Sequence, residues 1–240
     1  MINEYSKPIF RCSSLGGLMS GISGPGETAY GVLRKMAFEN KYGIRKRFSS
    51  KPTAKGIENE GLSIEMAARA YGWDVDPNKP LKYRKVNEFI TGEPDVVTQL
   101  VLADVKSSFE AESFPSYDLS FTVSPNKAYE WQMQGYMWLF DRLEAELVYV
   151  LTPMPEQMLL DQIRRDSYLA MSDPRYAGMG IEAIEEMVDE QLRAEVDFEV
   201  IPEEKRIRRF IIQRDERMIQ QIQVRCRQLY PIYERIFNAI

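Results

Sequence analysis

The residues best placed to do chemistry are a carboxylate and an amine two positions apart, Asp104 and Lys106, in the largely apolar stretch 100–106. Residues two apart on a strand share a face, and apolar residues on both faces indicate a strand covered on both sides. Because an isolated buried charge is costly, the two side chains must pair with each other or with an ion. The alternative is a partly exposed strand end with an ordinary surface ion pair.

A second carboxylate, Asp95, lies in the preceding stretch of β-like sequence. Pro94 forbids an ordinary interior position in a sheet, and Gly92 permits a close backbone approach. Together they could aim Asp95 toward Asp104. Glu60, on a predicted helix, is the third candidate carboxylate. Three hard oxygen ligands without histidine are typical of a Mg²⁺ or Mn²⁺ site.

An aromatic-rich helix supplies the remaining polar candidates. Gln132 and Tyr136 stand four residues apart and therefore share a face, as do Gln134 and Trp138. An aromatic and methionine stripe at this spacing is usually part of a hydrophobic core, with glutamine at its polar edge. The spacing alone leaves both interpretations open.

The composition restricts the available chemistry. The chain has 240 residues, 44% of them hydrophobic, with two cysteines and no histidine. Without histidine, Ser-His-Asp and Cys-His catalysis and histidine-ligated zinc are excluded. Cys12 and Cys226 cannot form a disulfide framework or a four-cysteine metal site, which favours a reducing cytoplasm. The apolar runs fall far below the roughly 20 residues that span a bilayer, so we expect no membrane segment.

Charge is unevenly distributed along the chain, whose formal net charge is −5. Residues 34–55 contain eight basic side chains and one acidic one, whereas residues 156–199 contain twelve acidic side chains and four arginines. An acidic protein can therefore carry a local basic surface for an acidic partner. A solvated helix face and loop would explain the same charges.

The predicted order of elements is helix, three strands, helix and strand, with additions at both ends, which indicates a mixed α/β fold. The Gly-rich residues 15–26 lack both a preceding strand and a G-K-S/T ending, so we expect a loop and not a phosphate-binding P-loop. Ser124 is the expected N-cap of the aromatic helix. Helices are predicted at residues 27–42, 55–71, 124–142 and 215–240, and strands at 81–91, 93–97, 100–106, 147–151 and 207–212.

Four motifs occur in order: Gly56-x-x-x-Glu60, Gly92-x-x-Asp95, Asp104-x-Lys106 and Gln132-x-x-x-Tyr136. They resemble the motifs of the PD-(D/E)XK nuclease superfamily. More narrowly, the chain is similar to the RecB-like branch that contains lambda exonuclease and the YqaJ-type phage recombination nucleases. The resemblance spans residues 9–151 and is weaker at 210–216.

This resemblance implies a single nuclease domain over residues 1–240. Its restriction-endonuclease-like core, a central mixed sheet flanked by helices, would occupy residues 55–151. An N-terminal basic segment for DNA ends would precede it at 1–54. A helical C-terminal extension with a closing strand and helix would follow at 152–240.

The resemblance also assigns roles to residues of the site. The implied ligands of one or two Mg²⁺ or Mn²⁺ ions are Glu60, Asp95, Asp104 and the backbone carbonyl of Val105. Lys106 would orient or help to deprotonate the attacking water, and Gln132 would position Lys106 or the scissile phosphate. Asp104 stands where many relatives have glutamate, and its shorter side chain would alter the spacing of the metal.

By the same resemblance, Arg11 and Ser13 would face the 5′-phosphate of a DNA end. An ordinary loop with a serine cap is the alternative for this segment. Further contacts with DNA are expected from Arg45, Arg47, Lys55 and Tyr136.

The function implied is that of a metal-dependent deoxyribonuclease that degrades duplex DNA from its ends, 5′ to 3′, and leaves a single strand for a single-strand annealing protein. A homo-oligomer, a trimer in this family, and a location in the cytoplasm of a bacterial host are also implied. Two alternatives stay open: an endonuclease of restriction or junction-resolving type on the same core, and a catalytically inactive DNA-binding subunit.

Overall fold

A computed structural model describes residues 6–21, 23–45, 51–75, 83–112, 114–115 and 126–240. Its strands are β1 (Phe10–Arg11), β2 (Lys85–Val86), β3 (Ile90–Gly92), β4 (Val96–Val97), β5 (Leu102–Ser108), β6 (Glu144–Leu151) and β7 (Ile207–Gln213). Its helices are α1 (Leu15–Leu18), α2 (Glu27–Tyr42), α3 (Lys51–Glu58), α4 (Glu60–Tyr71), α5 (Lys127–Phe140), α6 (Glu156–Met171), α7 (Ile181–Val196) and α8 (Glu216–Ala239).

The larger sheet has the strand order β4-β5-β6-β7. β5 and β6 are parallel, and the connection between them carries α5, whereas the outer two pairs are antiparallel. Parallel neighbours need such a crossover because a tight turn joins only antiparallel strands. A smaller sheet has the order β1-β3-β2, with β1 parallel to β3. The mixed α/β fold predicted from the sequence is thus confirmed.

Helices cover both faces of β5. Leu102 belongs to the same hydrophobic core as Met137 of α5. Val105, which points to the other face, belongs to a second core with Ile64 of α4. This double coverage explains why the strand is apolar at alternate positions on both sides.

Helix α5 begins at Lys127, where the Asn126 side chain accepts a hydrogen bond of 2.9 Å from the backbone N–H of Ala128. Asp141 follows the helix in a left-handed conformation, with φ of 52°. The predicted cap, Ser124, lies outside the described residues. The helix itself occupies the crossover, as the sequence pattern predicts.

The helix predicted at residues 55–71 is in fact two helices, α3 and α4, separated at Asn59. The Asn59 side chain donates hydrogen bonds of 2.8 Å to the Thr152 hydroxyl and to the carbonyl of Pro153. Contacts with the chain that follows β6 therefore set the break, and local periodicity does not report them.

Three other expectations have clear outcomes. The Gly-rich stretch expected to be a loop begins with α1, which directly follows a 3-10 turn at Cys12–Ser14. The hairpin expected between residues 97 and 100 is present, since Val97 pairs with Leu102. Among the helices given above, none combines the length and the apolar character needed to cross a membrane.

The C-terminal extension contributes two features. α6 and α7 form a small core of their own from Leu159, Ile163, Ile184 and Val188. β7 then completes the larger sheet, and α8 follows from an N-cap at Asp215. The closing strand and helix predicted from the sequence are therefore both present.

Candidate active site

Two adjacent chain segments and one helix bring the polar candidates together. Asp104 and Lys106 project from the face of β5 that α5 covers. Asp95 lies just before β4, and its Oδ2 atom accepts a hydrogen bond of 2.8 Å from the backbone N–H of Val105. The bend expected near Pro94 thus places Asp95 against β5, beside Asp104.

Asp104 is buried, with 3% of its surface exposed. Its Oδ1 atom accepts a hydrogen bond of 3.0 Å from Gln132 Nε2, and its Oδ2 atom forms an ion pair with the Lys106 ammonium group. Apart from that ion pair, Oδ2 has no hydrogen-bond partner among the described residues. Since a carboxylate oxygen can accept more than one bond, Oδ2 keeps a lone pair that a cation can use.

Lys106 is a cation held in an anionic environment. Its Nζ atom lies 4.8 Å from the centre of the Tyr129 ring. Burial alone would lower the pKa of Lys106, but the charge of Asp104, the hydrogen bond to it and the charge of Asp95 raise the pKa above its ordinary value. A lysine in this state suits stabilisation of negative charge better than abstraction of a proton.

A short chain of hydrogen bonds orients Gln132. Its Nε2 atom also donates to the Tyr136 hydroxyl at 2.9 Å, and that hydroxyl donates to the Glu93 carbonyl at 3.4 Å. Gly92 makes room for this arrangement, because a Cβ atom there would lie 2.7 Å from Tyr136 Cε1. The close approach that Gly92 permits therefore serves the aromatic ring, and through it Gln132.

These side chains line one cavity of about 270 Å³. Its wall includes Asp95, Asp104, Lys106, Gln132 and Tyr136, together with Arg11 and Ser13. Glu60, the first residue of α4, is not part of that wall. α4 packs on the other face of β5, where Ser63 Oγ lies 2.7 Å from Ser107 Oγ. Asp95 and Asp104 thus meet at one cavity, and Glu60 as a third ligand stays a prediction.

The remaining donors fit a hard divalent cation. Asp95 and Asp104 offer carboxylate oxygens, the ligands that Mg²⁺ and Mn²⁺ prefer. In the part of the chain that the structure describes, no group of three or more acidic or cysteine side chains could hold a metal ion. An ion at this site would complete its shell with water and phosphate oxygens, as Mg²⁺ commonly does. The Val105 carbonyl as a further ligand stays a prediction.

A second cavity, of about 680 Å³, shares Arg11 and Ser13 with the first, and Arg45 also lines it. Arg11 donates a hydrogen bond of 2.6 Å to Glu39 Oε1, and Arg45 Nε lies 3.8 Å from the same oxygen. The hydrogen bond from Arg11, with the charges of both arginines, lowers the pKa of Glu39. Arg11, Ser13 and Arg45, all predicted to contact DNA, therefore line one cavity. Within it the guanidinium groups of both arginines share the Glu39 carboxylate.

The fold is shared with solved exonucleases. A phage-related exonuclease from Haemophilus somnus 129PT matches with a TM-score of 0.71 and 28% identity, over 98% of this chain and 97% of that chain. The resemblance to phage exonucleases of the PD-(D/E)XK type is thereby confirmed. The alkaline exonuclease LHK-Exo from Laribacter hongkongensis shares the fold alone, with a TM-score of 0.56 and 11% identity over 96% of this chain and 90% of that chain.

The same enzyme has also been solved in complex with dAMP, and that structure matches with a TM-score of 0.56 and 12% identity over the same shares of both chains. No protein-family model and no curated protein matches this chain. The likeness to the exonucleases supports a nuclease.

Two predicted DNA contacts lie inside the protein. Lys55 is 1% exposed, and its ammonium group donates to the Phe109 carbonyl at 3.0 Å beside the Phe198 ring. It cannot reach DNA in this conformation, which corrects the expected contact. Tyr136, 4% exposed, accepts a hydrogen bond from Gln132 and lines the cavity with Asp104, and its contact with DNA stays a prediction.

Arg47 lies outside the described residues. Two residues of the site were missed by the sequence reasoning, Tyr129 and Glu39. Tyr129 precedes Gln132 by three positions on α5, so helical spacing contains a signal for it. Glu39 has no local signal, because its partner Arg11 is 28 positions away.

The buried amine of Lys55 makes stability depend on pH. Burial lowers its pKa from 10.5 to about 8, partly opposed by the charge of Glu110. Between these values the unfolded chain binds more protons than the folded one, so stability rises with pH. We expect the free energy of unfolding of wild type, minus that of Lys55→Met, to rise between pH 8 and 10 by at most about 1.4 kcal/mol per unit.

Urea denaturation at a series of pH values measures this difference. The exposed Lys205, replaced in the variant Lys205→Met, is the matched control and should show no such slope. A difference between wild type and Lys55→Met that does not change with pH would contradict the buried, depressed amine.

Proposed function

We propose that this chain hydrolyses phosphodiester bonds of duplex DNA from an end, 5′ to 3′, with Mg²⁺ or Mn²⁺ as its cofactor. The observation that carries the proposal is the convergence of Asp95, Asp104 and Lys106 on one cavity, with Asp104 fixed by Gln132. The likeness to an exonuclease along nearly the whole chain supports it. The 5′ to 3′ direction of hydrolysis and the identity of the metal ion are proposed from the motif resemblance.

The proposed chemistry divides the work among the side chains. A divalent ion held by Asp95 and Asp104 would, when bound, supply positive charge and a water of lowered pKa. Lys106 is placed to stabilise the charge that develops on the scissile phosphate. Gln132 holds Asp104 through Oδ1, which keeps Oδ2 directed at the reacting groups.

The larger cavity is the proposed site for the DNA end. Arg11 and Arg45 offer guanidinium groups, which bind phosphate through paired hydrogen bonds. In the free protein Glu39 occupies both groups, so a terminal phosphate would replace one carboxylate with a stronger anion. Ser13, which lines both cavities, would contact the strand between its end and the scissile bond.

The oligomeric assembly of this chain is proposed from its resemblance to the nuclease family. A homo-oligomer, a trimer in this family, would place several basic surfaces around one duplex and pass the remaining strand to a single-strand annealing protein. The net charge of −5 is compatible with this, because the basic residues Arg34 and Lys35 line the larger cavity with Arg11 and Arg45. Two buried cysteines without a disulfide are compatible with a bacterial cytoplasm.

The nuclease proposal is tested with linear duplex DNA labelled at either end, with and without a 5′-phosphate, in Mg²⁺ or EDTA. We expect wild type to degrade it from the 5′ ends in Mg²⁺ only. Asp104→Ala and Lys106→Ala should each lose activity by about a hundredfold or more, because each removes charge from the reacting centre. Both should retain duplex binding.

Asp74→Ala and Lys205→Ala, at exposed positions, are the matched controls and should keep full activity. Covalently closed plasmid should resist the enzyme, and its cleavage would favour the endonuclease alternative. The absence of degradation under every metal condition would refute the nuclease.

The end-recognition proposal concerns Arg11. Arg11→Ala should lower kcat/KM on 5′-phosphorylated ends by about tenfold, the effect of losing one charge-assisted hydrogen bond. The same variant should leave the rate on 5′-hydroxyl ends nearly unchanged. Arg69→Ala, which removes an arginine paired with Glu203 elsewhere, is the control. An equal loss on both kinds of end would show that Arg11 does not read the terminal phosphate.

A further inference from the structure

A third cavity shares none of its lining residues with the candidate active site. It is a groove of about 580 Å³ lined by one face of α8, by Met19, Gly21 and Ser23, and by Trp131 of α5. We call it the α8 groove. Its α8 wall runs from Arg217 to Gln228, about 16 Å along a helix.

The α8 wall is rich in amides that the protein does not use. In the described part of the chain, four polar side chains of this wall make no hydrogen bond or ion pair: those of Arg217, Gln220, Gln221 and Gln228. An amide carries both a donor and an acceptor, so it can pair with the edges of nucleobases. Unpaired amides along one groove therefore offer a surface for exposed base edges.

The opposite wall offers a flat aromatic surface. Trp131 is partly exposed at the groove, and the Lys127 ammonium group lies 5.9 Å from the centre of its ring. Sequence-tolerant binding of unpaired strands combines such stacking platforms with nearby cations. Arg217, at the start of α8, supplies an exposed cation in the groove.

The loop wall is held in place. Arg225 of α8 is buried, and its guanidinium group donates hydrogen bonds of 3.0 and 2.9 Å to the carbonyls of Ser20 and Gly21. Arg225 and Ser20 are 205 positions apart in the sequence, so this contact joins α8 to a distant loop. The groove is therefore preformed, and less ordering is required when a ligand binds.

The groove is close to the candidate active site. Trp131 and Gln132 are consecutive on α5, and they face the groove and the catalytic cavity respectively. α1 packs directly on α5, since a Cβ atom at Gly16 would lie 2.4 Å from Ala128 Cβ.

We propose that the α8 groove binds the unpaired DNA strand that remains when its complement is hydrolysed. This inference rests on the proposed function. Amides and an indole recognise bases, which a duplex keeps paired and stacked, so the lining favours a single strand over a duplex.

The test measures binding of a 5′-fluorescein oligothymidylate in EDTA by fluorescence anisotropy. Trp131→Ala should weaken binding about tenfold, whereas Trp131→Phe, which retains a stacking ring, should keep most of the affinity. The double variant Gln220→Ala/Gln221→Ala should also weaken binding. Gln223→Ala, on α8 but outside the groove, is the matched control and should bind as wild type does.

Cleavage of linear duplex by wild type in Mg²⁺ is measured in parallel, so that a failure of the groove proposal can be distinguished from a failure of the nuclease proposal. Normal cleavage with unchanged single-strand affinity in both Trp131→Ala and the double variant would overturn the groove alone. If wild type does not cleave the duplex but the groove variants bind the single strand more weakly, the groove is a single-strand site and the nuclease proposal is refuted. If groove variants change the oligomeric state in light scattering but not the affinity, the groove contacts another copy and the proposal is overturned. Should Trp131→Ala fail to fold, Trp131→Phe and the double variant decide the outcome.

Discussion

The buried ion pair between Asp104 and Lys106 is the interaction on which the rest of the site depends. A carboxylate with 3% of its surface exposed needs a partner for each oxygen, and here Gln132 serves one and Lys106 the other. Such a pair is not a source of stability in itself, because the cost of desolvation is comparable to the attraction. Its presence in a covered strand agrees with the proposed role of these charges in chemistry.

Helix α5 positions most of what surrounds this pair. Three glycines allow the close packing that fixes the helix: Gly16 lies against Ala128, Gly135 against Leu15, and Gly92 against the Tyr136 ring. Consecutive residues of this helix face different cavities. Gln132 faces Asp104, and Trp131 faces the α8 groove. A single helix thereby links catalysis to the proposed path of the remaining strand.

The sequence predicted those features that depend on local spacing. The two-residue period placed Asp104 and Lys106 on one face, and the helical period placed Gln132 with Tyr136, which the hydrogen bond between them bears out. Features set by distant contacts were missed. Lys55 is drawn inside by Phe198, and Asn59 breaks a helix because Thr152 and Pro153 accept its hydrogen bonds. The helix that begins at Glu60 packs on the face of β5 opposite Asp104, and the role of Glu60 as a metal ligand stays a prediction.

The central proposal is that Asp104 and Asp95 together hold a divalent cation. Calorimetric titration of Mn²⁺ into wild type and into Asp104→Asn tests it directly, because asparagine keeps the size of the side chain and removes its charge. Saturable binding to wild type, weakened about tenfold or more in the variant, is the expected result. Equal binding to both proteins, or no saturable binding to wild type, would contradict the account.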